Sequence, residues 1–380
     1  MVSEKWRQLS LGEVATLQRG YDLPHKERKP GTVPIISSSG SIDTHNESRV
    51  AGPGVVTGRY GTIGEVFFVS EDFWPLNTTL FVKDFKGNDP LFISFLLRTI
   101  DYHSYSGKSG VPGVNRNDLH EIGVSLPPLP EQHTIATALN DVDALITTLD
   151  RLITKKHDIK QATMQQLLAG KTRLPGFSGE WEVRKLKNEC ELITKGTTPT
   201  SLGKNFSTHG VNFIKIESLT DEGGIIWDKL AFIDEETHNL LRRSQLKNMD
   251  ILFSIAGALG RITLVKQDIL PANTNQALAL IRLKNRSCLD YVFLTKYLTS
   301  LEILRHVESI NVQAAQANLS LEDVRNFEIR MPTIPEQRAI ATILSDMDTE
   351  IATLEQKRDK MRALKQGMMQ ELLTGKTRLL

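Results

Sequence analysis

The feature that most constrains the fold of this chain is a long internal repeat. Residues 126–174 recur as residues 331–379, so the offset is 205 throughout and no gap is needed. Both copies carry Pro-Glu-Gln near the start and Gly-Lys-Thr-Arg near the end. Two copies of one segment predict two equivalent structural elements within a single chain.

The remainder of the chain repeats more loosely. Trp6 is echoed by Trp181, and the Gly61/Gly64 pair is matched by Gly257/Gly260 at an offset of 196. The offset therefore grows from 175 to 205, and the second copy carries about 30 extra residues, mostly where loops are expected. One half of each repeat is nearly fixed while the other half has diverged. The spacing between the copies also predicts that the two ends of the chain lie close together.

The two closely repeated segments have the pattern of long coiled-coil helices. Each opens with a proline at the first turn, where its missing N–H costs nothing, followed by an acid that complements the helix dipole. Apolar residues then follow at steps of four and three, which is an a/d seam. Each helix is expected to end at Gly170 or Gly375, and about 39 residues give a length of roughly 58 Å. The seam residues are Ile135, Leu139, Val142, Ile146, Leu149 and Ile153 in the first copy, and Ile340, Leu344, Met347, Ile351, Leu354, Met361, Met368 and Leu372 in the second.

Connectivity favours antiparallel pairing of these helices. The first ends where the second globular segment begins, and the second starts where that segment ends. A domain of about 150 residues is less than about 40 Å across, so parallel helices would require it to span the whole rod. We therefore expect one globular domain at each end of the helix pair, related by a pseudo-two-fold axis. The boundaries expected are 1–130 (globular), 131–174 (helical), 175–335 (globular) and 336–380 (helical).

The globular segments show short β-like runs separated by turn residues, and each has one amphipathic helix. The helices are expected over Pro90–Asp101 and Leu289–Glu302. We predict an α+β fold in which each domain has a mostly antiparallel, curved sheet. The predicted strands are 33–36, 54–57, 65–69 and 79–82 in the first copy, and 212–216, 250–253, 262–265 and 278–282 in the second.

Composition excludes several classes of protein. Of 380 residues, 40% are hydrophobic and 24% are charged, with a net charge of +1, so the chain is neither disordered nor strongly basic. The near-neutral balance argues against non-specific nucleic-acid binding by bulk charge. Two cysteines, Cys190 and Cys288, are too few for a disulfide framework. No apolar run is long enough to span a membrane and no signal peptide begins the chain, so we expect a cytoplasmic protein.

Motifs that would indicate catalysis are missing. Gly170-Lys171-Thr172 lacks the glycine that a P-loop needs at position 165, which is glutamine, and a helix C-cap is the preferred interpretation. Gly58, Gly61 and Gly64 differ from the dinucleotide fingerprint and indicate a tight turn. The histidines and cysteines have no metal-binding spacing. The sequence therefore predicts no catalytic centre, metal site or cofactor in this chain.

The order of these features resembles the specificity subunit of type I restriction-modification systems. The resemblance rests on Leu-Pro-Pro-Leu-Pro-Glu-Gln, a long helix, Leu-Leu-x-Gly-Lys-Thr-Arg-Leu, a following tryptophan and a second copy of the whole. Gly-Thr-Thr-Pro at 196–199 also looks like this family's target recognition domains. The resemblance covers essentially the entire chain.

The resemblance implies a function and a set of partners. Each globular segment would be a target recognition domain that reads one half of a bipartite, asymmetric site in double-stranded DNA, and the helices would fix the gap. The helices would also dock two methyltransferase subunits that bind S-adenosylmethionine and methylate adenine. A motor-nuclease subunit using ATP and Mg²⁺ would add restriction. Two alternatives remain open: an adapter of another phage-defence or orphan adenine-methylation system, and an unrecognised enzyme.

Base contacts are expected from polar side chains on loops, because these side chains match the donors and acceptors of the major groove. Positions shared by the two copies are expected to hold the fold or phosphates, and unshared positions to specify bases. The predicted DNA-binding residues are Ser37, Ser38, Arg59, Tyr60, Asn77, Ser109 and Arg116 in the first domain, and Lys195, Thr197, Thr198, Lys215, Arg261, Asn273, Gln313 and Asn318 in the second.

Overall fold

A computed structural model describes residues 5–106, 113–284, 288–311 and 318–379. The chain divides into two compact units. Unit 1 comprises Met1–Leu152 and Leu354–Leu380, and unit 2 comprises Ile153–Thr353. Each unit therefore combines one globular half with part of both long helices.

Within the described residues, unit 1 is built from three small sheets and three short helices, besides its part of the long helices. The elements are β1 (Arg7–Ser10), α1 (Leu11–Val14), β2 (Thr16–Arg19), β3 (Val33–Ser37), β4 (Gly40–His45), β5 (Gly54–Gly58), β6 (Val66–Val69), β7 (Trp74–Pro75), β8 (Thr79–Asp84), α2 (Pro90–Leu97), α3 (Arg116–His120), β9 (Gly123–Leu126) and the start of α4 (Leu129–Leu167). The four-stranded sheet, in the order β2-β8-β5-β6, is antiparallel, whereas the second sheet, β4-β3-β7, contains the parallel pair β3·β7. A two-stranded sheet, β1-β9, leads into the long helix.

Unit 2 repeats this plan with additional segments. The elements are β10 (Glu182–Lys185), α5 (Leu186–Glu189), β11 (Cys190–Lys195), β12 (Val211–Ile214), β13 (Ala231–Ile233), α6 (Glu235–Leu240), β14 (Ile251–Ser254), β15 (Ile262–Leu264), β16 (Ala272–Thr274), β17 (Leu278–Leu283), α7 (Tyr291–Leu298), α8 (Leu301–Asn311), α9 (Leu321–Arg325), β18 (Glu328–Met331) and α10 (Ile334–Leu372). The four-stranded sheet has the order β11-β17-β14-β15, and β10-β18 is a two-stranded sheet. The three-stranded sheet has the order β13-β12-β16, with a parallel β12·β16 pair.

The predicted α+β class and the predicted strands are confirmed to within two residues at each end, with three differences. The helix predicted over Pro90–Asp101 is shorter, because α2 ends at Leu97. The strands of each unit form three sheets rather than one curved sheet. The helix predicted over Leu289–Glu302 is two helices, because α7 ends at Leu298 and α8 begins at Leu301. Ser300 lies at the break, and its side-chain oxygen accepts from the backbone N–H of Ile303 (3.5 Å), as an N-cap residue of the second helix does.

The two long helices and their seams are confirmed. α4 and α10 are each 39 residues long, and the predicted a/d positions are buried or half-buried in both. Helix α4 ends in a Schellman motif: Gly170 has a φ of +66°, and the N–H groups of Gly170 and Lys171 donate to the carbonyls of Leu167 and Gln166. At the end of α10, Gly375 has the same left-handed conformation, with a φ of +73°. The C-cap interpretation of Gly-Lys-Thr is therefore correct.

Ion pairs confirm that α4 and α10 are antiparallel within each unit. As the residue number rises along α4, the number of the partner on α10 falls. In unit 1, Glu131 binds Arg378 at 2.6 Å and Asp143 binds Lys365 at 2.6 Å. The same order holds in unit 2, where the pairs are Lys156–Glu350, Lys160–Asp348 and Arg173–Glu336. The heptad spacing also includes charged residues. Lys156 and Lys160 continue it beyond Ile153 in α4, whereas Arg358 and Lys365 alternate with the apolar residues of α10.

The repeated Glu of Pro-Glu-Gln and the repeated Arg of Gly-Lys-Thr-Arg bind each other. Arg173 forms two hydrogen bonds with the carboxylate of Glu336, at 2.6 and 2.7 Å, and packs 5.7 Å from the ring of Trp181. Glu336 is almost completely buried. Two motifs 163 residues apart are thus one structural contact, which explains why both are retained in the repeat.

Unit 1 contains the same contact, with Arg378 on Glu131 and Trp6 5.8 Å away. Trp6 also donates its indole N–H to Glu131 at 3.1 Å. Burial raises the pKa of Glu131, but the bonds from Arg378 and Trp6 outweigh this, so the pKa lies below its usual value. The segments near the two ends of the chain therefore meet, as the repeat spacing predicts, although residues 1–4 and 380 lie outside the described part.

Candidate nucleic-acid interface

In unit 1, four loops meet at one edge of the sheets. The backbone N–H groups of Arg59 and Tyr60 both donate to the carbonyl of Thr78, at 2.9 and 3.1 Å. A Cβ placed on Gly58 or Gly61 would lie 3.2–3.3 Å from the side chain of Ser38, so the 37–40 turn packs against the 58–64 turn. Gly61 and Gly64 have positive φ angles of +75° and +86°, which confirms the tight turn. Residues 37–40, 58–64, 76–78 and 113–116 are named loop cluster 1.

Tyr60 joins the last loop to this cluster. It forms an antiparallel bridge with Gly113, and the N–H of Val114 donates to the carbonyl of Arg59 at 3.0 Å. A Cβ on Gly113 would lie 2.0 Å from the Tyr60 ring, so a glycine is required at that position. Arg116 follows directly as the exposed first residue of α3. The structure therefore brings Ser38, Arg59, Tyr60 and Arg116 into one loop cluster.

Two arginines of loop cluster 1 are free to bind an anion. Arg59 lies over the ring of Tyr60 at 4.5 Å, and Arg116 is exposed. Within the described part of the chain neither forms an ion pair with a carboxylate. A guanidinium stacked on an aromatic ring keeps its five donors in a fixed plane, which suits phosphate or base edges.

Unit 2 forms the equivalent edge from different side chains. Gly196 packs so closely on residues 274–275 that a Cβ would lie 1.7 Å from the Thr274 carbonyl, and its N–H donates to Asn275 at 3.0 Å. Next to it, Thr198 donates to the Gln276 side chain at 2.5 Å. Lys195 is exposed and has no carboxylate partner among the described residues. Residues 195–198, 242–244, 255–257, 274–277 and 318–319 are named loop cluster 2.

The two loop clusters share a backbone framework. The Tyr60–Gly113 bridge of unit 1 corresponds to an Ala256–Asn318 bridge in unit 2, at the offsets of 196 and 205 seen in the sequence. The adjoining bond from Val114 to Arg59 likewise corresponds to one from Leu319 to Ile255, at 2.8 Å. The side chains at these matched positions are unlike. One scaffold therefore presents two different polar surfaces.

Two predicted base contacts are corrected by the structure. Asn273 is completely buried, its amide donates to the Leu241 carbonyl (3.0 Å) and the Ser244 hydroxyl (3.1 Å), and its oxygen contacts His238. Ser37 is also buried, and its hydroxyl donates to the Gly40 carbonyl at 3.1 Å within the turn. Both side chains are already satisfied internally, so neither is placed to read a base.

Three further predicted residues are engaged by neighbouring acids. Asn77 donates to Asp22, Lys215 binds Glu217 at 2.8 Å, and Arg261 binds Asp221 at 2.6 Å. Their charges or donors are partly compensated before any DNA arrives. Ser109 and Gln313 lie outside the described residues, so their predicted roles stay predictions.

Sequence reasoning missed two residues of loop cluster 2, Gln276 and Arg243. Arg243 is exposed and donates to the Thr197 hydroxyl at 3.4 Å. Both residues lie in segments that are distant from Thr197 and Thr198 in the sequence. No local pattern indicated their proximity, although Arg242-Arg243 is an uncompensated basic pair.

In the described ranges, no group of three or more His, Cys, Asp or Glu side chains is arranged to hold a metal ion. No helix of the described ranges is both long and apolar enough to cross a membrane.

Comparison with solved structures shows the fold. The crystal structure of the type I restriction-modification system S subunit from M. genitalium aligns with a TM-score of 0.66 at 14% identity, covering 98% of this chain and 96% of that chain. A chain from a structure on complex assembly and conformational transition of the type I R-M system aligns with a TM-score of 0.57 at 19% identity, covering 99% and 100%.

Comparison of sequences shows the family. The MjaVIII specificity subunit of Methanocaldococcus jannaschii is 27% identical over 76% of this chain and 70% of the relative. The EcoBI specificity subunit of Escherichia coli is 24% identical over 98% of this chain and 85% of the relative. A family model described as the type I restriction modification DNA specificity domain matches residues 3–160 and 178–362. Since these two matches span most of the sequence, the chain belongs to the family of type I restriction-modification specificity subunits.

Proposed function

We propose that each unit reads one half of a bipartite, asymmetric DNA site. The observation that supports this most strongly is the pair of loop clusters, which share bridges and backbone bonds but carry unlike side chains. A reader of two identical half-sites would need the same side chains twice, whereas a reader of two different half-sites needs one scaffold with different donors and acceptors.

In this proposal the long helices set the gap between the half-sites. α4 and α10 are each 39 residues long and each has residues in both units, so a rod of roughly 58 Å runs without a break. Ion pairs between the two helices hold their register within each unit. A stiff spacer converts helix length into half-site separation.

The chemistry belongs to partner subunits in this proposal, and the chain itself is non-catalytic. Two methyltransferase subunits, which bind S-adenosylmethionine and methylate adenine, dock on the helices. A motor-nuclease subunit with ATP and Mg²⁺ adds restriction. The net charge of +1 indicates that the chain alone holds DNA weakly, because few phosphate contacts mean little counterion release, and that the partners supply much of the phosphate binding.

The experiment that tests half-site reading is Arg59→Ala in the complete methyltransferase complex. Methylated adenines are mapped on a random-sequence DNA library and the recognised motif is derived. We expect the motif to lose discrimination by roughly 10- to 100-fold at a position in one half only, because a bidentate arginine contact is worth about 1–3 kcal/mol. The other half is expected to stay unchanged.

Arg7→Ala is the matched control, because Arg7 is an exposed arginine of the same unit that lies on β1, away from loop cluster 1. It removes the same charge without removing a predicted base contact. Equal loss of methylation on all DNA sequences in the Arg59 variant, with an unchanged motif, would contradict base reading by this residue.

A further inference from the structure

Arg243 is an exposed cation in loop cluster 2 of unit 2. It lies in the turn Arg242–Ser244, and its guanidinium donates to the hydroxyl of Thr197 at 3.4 Å. Within the described residues it forms no ion pair with a carboxylate, unlike Lys215 and Arg261 of the same unit. Its charge and most of its donors are therefore available to a ligand.

The turn that carries Arg243 is anchored from inside the unit. The amide of the buried Asn273 donates to the Leu241 carbonyl on one side of the turn and to the Ser244 hydroxyl on the other. Ser244 is itself only 2% exposed. Because one buried amide holds the turn at both ends, the backbone that carries the side chain of Arg243 has a fixed orientation.

The neighbours of Arg243 are polar side chains suited to a base edge. Thr197, which accepts its hydrogen bond, is followed by Thr198, whose hydroxyl is bonded to Gln276 at 2.5 Å. Gln276 is exposed, so its amide can also face a ligand. Loop cluster 2 thus places a planar five-donor group beside an amide, and these are the two side-chain types that contact guanine and adenine in pairs of hydrogen bonds.

We propose that Arg243 reads a guanine in the half-site of unit 2, with Asn273 as the residue that positions its turn. This inference rests on the proposed function. Its guanidinium would donate two hydrogen bonds to O6 and N7 of that base, a contact that needs a fixed fork direction as well as charge. A phosphate contact would need the charge alone, and the anchored turn would then serve no purpose.

The test compares Arg243→Ala, Arg243→Gln and Arg242→Ala in the complete methyltransferase complex, with methylated adenines mapped on a random-sequence DNA library. For Arg243→Ala we expect preference for one guanine to fall roughly 10- to 100-fold in one half of the motif. Arg243→Gln should shift that position towards adenine. Arg242 is the matched control, because it is exposed on the same turn and its guanidinium donates only to the Asn239 carbonyl among the described residues.

Several outcomes overturn the inference. If the motif and the methylation rate are unchanged in Arg243→Ala, Arg243 does not contact the DNA. If methylation falls uniformly, as much as in Arg242→Ala, Arg243 contacts phosphate and reads no base. If the alanine variant melts at a lower temperature than the wild type, Arg243→Lys keeps the charge and must still weaken discrimination at the same guanine. A wild-type complex with no two-part motif contradicts the proposed function itself, whereas an intact two-part motif that ignores Arg243 contradicts only this inference.

Discussion

Replacing Gln337 by alanine should destabilise unit 2 strongly, although the side chain carries no charge. Gln337 is completely buried in the first turn of α10. Its side-chain oxygen accepts from the N–H of Asp290 (2.8 Å), and its amide donates to the carbonyls of Cys288 and Pro332 (2.8 Å each). Asp290 in turn caps α7, so this one amide joins the long helix to the globular part of the unit.

The magnitude follows from the three bonds. Each contributes a net of about 1 kcal/mol to the free energy of unfolding, so we expect the loss of all three to cost about 3 kcal/mol. The Pro332 carbonyl would be left without this partner in a buried place, and the Asp290 N–H and Cys288 carbonyl in partly buried ones. For a unit of this size, that corresponds to a fall in melting temperature of roughly 6–12 °C. Differential scanning calorimetry of the full chain measures it directly.

Matched variants make the result interpretable. Gln356→Ala removes an exposed glutamine from the same helix and should change stability by less than about 0.5 kcal/mol. Gln132→Ala should reproduce the full effect in unit 1, because Gln132 accepts from Asp89 (3.0 Å) and donates to Pro127 and Asn88 (2.9 Å each). A Gln337 variant as stable as the Gln356 variant would show that the three hydrogen bonds of Gln337 do not stabilise unit 2.

Two further predictions concern the repeated helices. Burial raises the pKa of Asp348, but hydrogen bonds from Lys160 and Lys296 outweigh this effect, so the pKa lies below its usual value. The ionised Asp348 therefore stabilises the folded chain above pH about 4, and this stabilisation is lost as the pH falls further. Asp348→Asn should therefore lower the melting temperature at pH 7 and converge with the wild type in acid; a gap independent of pH would refute this. Gly375 has a φ of +73°, and a Cβ there would lie 3.1 Å from the Trp6 ring, so Gly375→Ala should lower the free energy of unfolding by about 1–2 kcal/mol in thermal melts. Gly367 lies inside α10 with open space around it, so Gly367→Ala should raise the free energy of unfolding by up to about 1 kcal/mol. Equal effects of the two glycine variants would contradict the C-cap assignment.

Features encoded by neighbouring residues could be predicted from the sequence. The heptad seams of α4 and α10, the glycine C-caps and most strands follow from periodicity and turn residues within a few positions of one another. The break between α7 and α8 was also encoded locally, because Ser300 is a good N-cap, but a continuous amphipathic pattern on both sides concealed it.

Contacts between distant segments could not be predicted in this way. Glu131 was interpreted as complementing a helix dipole, yet its main partner is Arg378, at a separation of 247 residues. Asn273 has the composition of a base-reading residue but lies inside the unit, because β16 is buried between two other segments. The proximity of Arg243 to Thr197 likewise depends on how the extra residues of unit 2 fold. Local patterns give no information about which loops meet.

In the proposed function, the length of the long helices sets the gap between the half-sites. The direct test derives the methylated motif of the wild-type complex and that of a variant with seven residues added to both long helices, after Leu152 and after Thr353. A heptad preserves the a/d seam and adds about 10 Å of helix, and DNA rises about 3.4 Å per base pair. We expect two unlike half-sites at a constant gap in the wild type, and the same half-sites with a gap about 3 base pairs longer in the variant. A single contiguous motif, or an active variant whose gap is unchanged, would contradict the proposed function.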